Sequence, residues 1–105
     1  MNIQEKNTVV VMLVQALIGA ISSNFRMVLI DLEQPVWVID FILAVESEVD
    51  REEIEDVITR FDVYMMDVDI PRAGFKWNVS VIPSHQPLPA VDGRCVFRRR
   101  EDITD

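Results

Sequence analysis

Cysteine, histidine and glycine are scarce in this chain: one Cys, one His and three Gly in 105 residues. A lone thiol, Cys95, cannot close an internal disulfide or build a zinc site, and it fits a reducing compartment. Three widely spaced glycines leave no Gly-rich loop to cradle a phosphate. His85 stands beside Ser84 in a proline-rich stretch, without a Gly-x-Ser-x-Gly elbow. Adjacent loop residues rarely reach the geometry of a nucleophile and its base, so a surface or loop-packing role is expected. Long apolar runs are missing as well. The run from Val9 to Ile21 spans roughly 13 residues and is broken by Gln15, against the ~20 that a bilayer requires. Met1 to Asn7 carries both Glu5 and Lys6 and is not a basic leader. These absences predict a soluble, cytoplasmic protein with no catalytic residue, no cofactor and no metal.

Positive charge is the remaining deficit. Ten Lys and Arg face eighteen Asp and Glu, for a net charge of −8. The imbalance is local: Asp31 to Asp69 holds thirteen carboxylates against Arg51 and Arg60, which is 2 − 13 = −11. A field of that sign repels phosphate backbones, so direct nucleic-acid binding is excluded for this stretch. It attracts a basic protein and accelerates the encounter. Asp67 and Asp69 suggest a Ca²⁺ loop, but Pro71 and Arg72 follow where the third ligand and the glycine belong. Four arginines, Arg94 and Arg98 to Arg100, lie near the end of the chain, with no aromatic residues spaced for base stacking. Their expected role is to pair with the acidic hairpin and helix described next.

What is present is a core. Half of the residues are hydrophobic, and 1–105 is the length of one domain. Val10, Leu13, Val14, Leu17, Ile18 and Ile21 recur at three- and four-residue spacing, which predicts a helix over Val9 to Ala20 capped by Asn7 or Thr8. Phe25 to Glu33 and Val36 to Glu46 read as two strands joined at Gln34-Pro35 into an antiparallel hairpin. Val28, Ile30 and Leu32 share one face with Arg26, while Phe25, Met27, Leu29 and Asp31 take the other. Trp37, Ile39, Phe41 and Leu43 similarly oppose Val36, Val38, Asp40 and Ile42. Helices cover only one face of a two-layer domain, so the second apolar face has either further cover or a partner.

Asp50 with Glu53 forms a D-x-x-E variant of the capping box, opening a second helix that runs to about Met66. Its apolar stripe is Ile54, Val57, Ile58, Phe61 and Met65. Phe75 to Ile82 alternates as a half-buried strand, and Pro83, Pro87 and Pro89 break regular structure after it. Asp92-Gly93 turns into a last strand, Arg94 to Arg99. Trp37, Trp77, Phe41, Phe75 and Cys95 are expected in the core, with one of the two tryptophans a candidate interface anchor. The α-β-β-α-β-β order predicts an α+β fold, a four-stranded and mainly antiparallel sheet with two helices packed on one face.

Three stretches of this sequence resemble a known group. They are Leu17-Ile18-Gly19-Ala20-Ile21-Ser22-Ser23-Asn24-Phe25-Arg26, then Asp50-Arg51-Glu52-Glu53, then Gly93-Arg94-Cys95-Val96-Phe97-Arg98-Arg99-Arg100-Glu101. Together they are similar to small acidic bacterial immunity proteins of polymorphic and contact-dependent growth-inhibition toxin systems. The resemblance implies a protein that binds and neutralises a cognate toxin domain. Charge adds the expectation that the toxin is a basic nuclease whose substrate-binding surface is covered by the hairpin and second helix. The candidate contacts are Asp31, Glu33, Asp40, Glu46, Glu48, Glu52, Glu55 and Asp56. The rival expectation is a homo-oligomeric structural or adaptor protein, a homodimer for example, that buries its second sheet face against itself.

Overall fold

A computed structural model describes residues 1–71, 73–90 and 92–101. The elements are α1 (Ile3–Leu17), β1 (Phe25–Asp31), β2 (Trp37–Leu43), α2 (Glu48–Met66), β3 (Phe75–Val81) and β4 (Arg94–Arg98). This is the α+β order read from the sequence. The sheet runs β3-β2-β1-β4. β1 pairs antiparallel with β2 and β4, and β2 pairs parallel with β3.

α1 starts six residues before the expected body, because Asn2 caps it in a reciprocal box with Glu5. The first turns are largely solvent-facing and carry no apolar period, so hydrophobicity alone places the start too late. Thr8 lies inside the helix and donates its hydroxyl to the Gln4 carbonyl. The helix ends at Leu17, ahead of Ala20, since Gly19 adopts φ +83° and the Ala20 N–H turns back to the Leu17 carbonyl.

α2 is capped by Ser47, whose hydroxyl accepts the Asp50 N–H at 3.2 Å. Asp50 is therefore within the first turn, and the expected Asp50–Glu53 box does not form. Its carboxylate is buried and used elsewhere, as described below. The predicted stripe Ile54, Val57, Ile58, Phe61 and Met65 is buried to the last residue. It meets Val9, Leu13, Ala16 and Leu17 of α1 and the inner sheet face, Val28, Ile30, Trp37, Ile39, Phe41 and Leu43. The Arg60 guanidinium joins the helices by donating twice to the Ala16 carbonyl, at 2.9 and 3.1 Å, near the end of α1 where carbonyls lack helical partners.

Two departures reshape the sheet. Phe25 pairs with Leu43 and Met27 with Ile42, so Arg26 is an extra residue in a bulge. The bulge turns Phe25 into the core, opposite to its expected face, and buries Arg26. The second departure concerns the face away from the helices. Leu29 and Ile42 lie there yet are only 1% and 3% exposed. The proline-rich connection leaves β3 at one edge for β4 at the other, and its first residues are held by Arg26, which donates to the Ile82 and Pro83 carbonyls, and by Arg99, which donates to the Ser84 hydroxyl. Gly93, at φ +120°, leads into β4 hard against β1: a Cβ there would meet the Ile30 carbonyl oxygen at 3.1 Å and the Leu29 side chain at 3.2 Å. At Leu29 and Ile42 the second apolar face thus has cover from its own chain, while Val36 on it stays exposed.

Candidate partner-binding surface

The eight candidate carboxylates do not lie on one surface. Asp31 and Asp40 sit on the sheet face opposite the helices and are half-buried. Asp31 accepts the Glu33 N–H at 2.9 Å, and Asp40 accepts the Asn78 amide at 3.1 Å across the parallel β2–β3 pair. Glu33 pairs with Lys6 at 2.6 Å, and that hydrogen bond lowers its pKa. Glu46 accepts from Nε and Nη2 of Arg51, and its pKa is lowered for the same reason. Hairpin and helix therefore do not form the single acidic face expected from the sequence.

α2 is different. At 3.6 residues per turn its stripe faces inward, Arg60 faces α1 and Asp62 faces β3. Glu48, Glu52, Glu55 and Asp56 lie on the remaining arc, all exposed, and among the described residues their carboxylates have no hydrogen-bond or ion-pair partner. Val49, Val63 and Met66 are exposed on or beside the same arc, 69%, 52% and 70% accessible. The result is a ridge of free carboxylates interleaved with apolar side chains.

Arg94 and Arg99 do not neutralise this field. Arg94 donates to Asn7 at 2.7 Å, and Arg99 donates to the Ser23 carbonyl, the Ser84 hydroxyl and Glu101. For these two arginines the expected pairing with the acidic hairpin and helix is replaced by nearer partners, because β4 lies against β1 at the far edge of the sheet. His85 is exposed, and its neighbour Ser84 is held by Arg99.

Sequence reasoning missed two buried polar clusters. The first joins Arg26, 1% exposed, to Glu101 in a bidentate pair at 2.6 and 2.8 Å, and to the carbonyls of Ile82 and Pro83 at 3.0 Å. The Arg26 hydrogen bond, helped by Arg99, holds Glu101 down at about 2, and the same bond raises the pKa of Arg26. The only sequence signal was an arginine within an apolar strand. The second cluster centres on Asp50, which accepts from the Ser22 hydroxyl at 3.0 Å and the Asn24 amide at 2.8 Å. Asn24 also exchanges hydrogen bonds with both backbone groups of Val45. Both clusters support the fold.

Two expected core residues are also displaced. Cys95 is exposed on edge strand β4, where its thiol donates to the Phe97 carbonyl. Trp77 is 41% exposed because β3 is the other edge. Of its strand, Phe75 and Val79 pack against the core, Phe75 meeting Phe61 edge-to-face at 5.2 Å.

No described helix is long and apolar enough to cross a membrane. Among curated proteins none matches the chain. The model of the MafI2 immunity protein family, however, matches residues 6–101 and so takes in every strand, α2 and most of α1. With all four described strands, α2 and the three resembling stretches inside that span, the chain belongs to the MafI2 immunity protein family.

Proposed function

We propose that this chain neutralises a cognate toxin domain, a basic nuclease, by covering its substrate-binding surface with the outward ridge of α2. The ridge carries the reading: Glu48, Glu52, Glu55 and Asp56 are exposed and, among the described residues, unpaired on one arc, with Val49, Val63 and Met66 among them. A nuclease holds phosphates with Lys and Arg, and carboxylates compete for those same side chains. The apolar residues supply area that can be fully desolvated, from which affinity and specificity arise. Asp31, Glu33, Asp40 and Glu46 add to the long-range field without forming part of the contact. The chain works in the cytoplasm, performs no chemistry of its own, and buries an interface of about 1,600 Å².

The test uses the toxin domain encoded by the reading frame beside that of this chain. Co-expression of the native chain is expected to restore growth to cells making that domain. Replacing Glu48, Glu52 and Glu55 by Gln and Asp56 by Asn is expected to abolish protection and weaken binding by about 100-fold, with little change in melting temperature. Full protection by the variant would place the contact elsewhere. A neighbouring frame with no basic domain, together with a salt-insensitive dimer of the isolated chain in light scattering, would favour the homo-oligomeric alternative.

A further inference from the structure

The two edges of the sheet are built differently. β4 is short (Arg94–Arg98), its pairing with β1 is interrupted by a register shift between Val28 and Leu29, and it carries an arginine at each end. These are the usual devices that stop an edge from pairing with another chain. β3 has none of them except Lys76. It runs for seven residues, Phe75–Val81, in unbroken register with β2. Trp37 donates to the Gly74 carbonyl, and Ile82 donates to the Leu43 carbonyl. Residues 74 and 82 thus direct their backbone groups toward β2, and in an extended strand every second residue does the same. Phe75, Trp77, Val79 and Val81 therefore direct their N–H and C=O groups outward, and among the described residues no strand pairs there. The side chains of the same four residues lie on the helix-covered face, where Trp77 and Val81 remain exposed. Beside them is an open hollow of about 530 Å³ lined by Asp62, Ile70, Ala73, Gly74 and Phe75.

We infer that the free edge of β3 accepts an extended segment of the toxin as a fifth strand, with Trp77 packing against it and basic side chains of that segment facing the α2 flank. This assignment rests on the toxin-neutralising reading above and names a second part of its surface. The charge of the flank selects the occupant. Asp62 faces the strand, and Glu55, seven residues earlier, lies on the same side of α2. A second copy paired along β3 would bring two such acidic flanks together, on chains of net charge −8 each. A segment with Lys or Arg at alternate positions meets the same flank with opposite sign. Backbone hydrogen bonds would supply affinity, and alternate side chains specificity.

Hydrogen–deuterium exchange of the native chain, alone and with the toxin domain of the neighbouring frame, reads the edge directly. The amides of Phe75, Trp77, Val79 and Val81 are expected to exchange at least tenfold more slowly in the complex. Val79→Pro removes an outward N–H and leaves the β2 ladder intact, and Trp77→Ala removes the exposed ring. Each is expected to weaken binding roughly 30-fold; Trp77→Ala keeps near-native unfolding, while Val79→Pro also gives up the packing of Val79 against the core. If Val79→Pro fails to fold, the exchange result and Trp77→Ala still decide. Toxin binding with no change at these amides and native affinity in both variants would overturn the strand-addition proposal and leave the neutralising function standing. No toxin binding by the native chain would overturn both. Protection of these amides without toxin, in a salt-resistant dimer, would assign the edge to a second copy instead.

Discussion

Arg26 occupies a position that burial alone would give to a hydrophobic residue. It can remain charged there because Glu101 and two carbonyls satisfy its donors, and the cluster joins the start of β1, the end of β3 and the segment after β4. Removing one partner of a buried pair leaves the other desolvated. Glu101→Gln is therefore expected to lower the unfolding free energy at neutral pH by about 3 kcal/mol, measured by urea denaturation. Glu101 has a folded-state pKa of about 2, below its ordinary value of 4.5, so over the interval between them the unfolded chain binds more protons. Its contribution is complete above pH ~4.5 and disappears as pH falls toward ~2. The gap between native chain and variant is expected to close over that interval. A gap constant with pH would show that the ion pair is not what the variant removes.

At the scale of elements, α2 shows why some of the fold was legible and some was not. Its stripe reads directly from sequence, because burial selects every third or fourth residue regardless of what caps the helix. Its start was misplaced, because Asp50 fits a cap by type while Ser47 holds that place by geometry. What turns the Asp50 carboxylate inward is Ser22 and Asn24, 28 and 26 residues away, and such a distance leaves no local pattern. The same holds for the sheet. Alternation identified β3, but which strand would be an edge depends on the parallel β2–β3 pairing, and only that leaves Trp77 exposed. The ridge of α2 was legible as a run of carboxylates, whereas their separation from Asp31 and Asp40 follows from the layering of helix and sheet. Two substitutions separate cap from clasp. Ser47→Ala is expected to cost about 1 kcal/mol, as for loss of an ordinary N-cap. Asp50→Ala is expected to cost about 2–3 kcal/mol, because the donors of Ser22 and Asn24 lose their acceptor in a partly buried site. Equal losses in urea denaturation would return Asp50 to a purely helical role.

For the whole molecule, the distribution of charge matters more than its sum. At the β4 end of the sheet Arg94 is held by Asn7 and Arg99 by Ser84 and Glu101, while among the described residues the carboxylates of the α2 ridge have no partner. The molecule is thus polarised, and an approaching cationic surface is drawn toward one side before any contact forms. Such steering acts on encounter and is screened over a Debye length, about 10 Å at 0.1 M salt and about 3 Å at 1 M. Short-range packing by Trp77, Val49 or Met66, and backbone bonds along β3, act on dissociation. Stopped-flow association of the native chain with the toxin domain is therefore expected to slow by about tenfold or more between ~0.02 and ~0.5 M salt, with dissociation changing far less. The variant neutralised at Glu48, Glu52, Glu55 and Asp56 is expected to associate slowly at every salt concentration, whereas Trp77→Ala keeps the native salt slope and dissociates faster. If salt acted mainly on dissociation and left association unchanged, the field of the ridge would not set the encounter, and the steering role given to these carboxylates would fail.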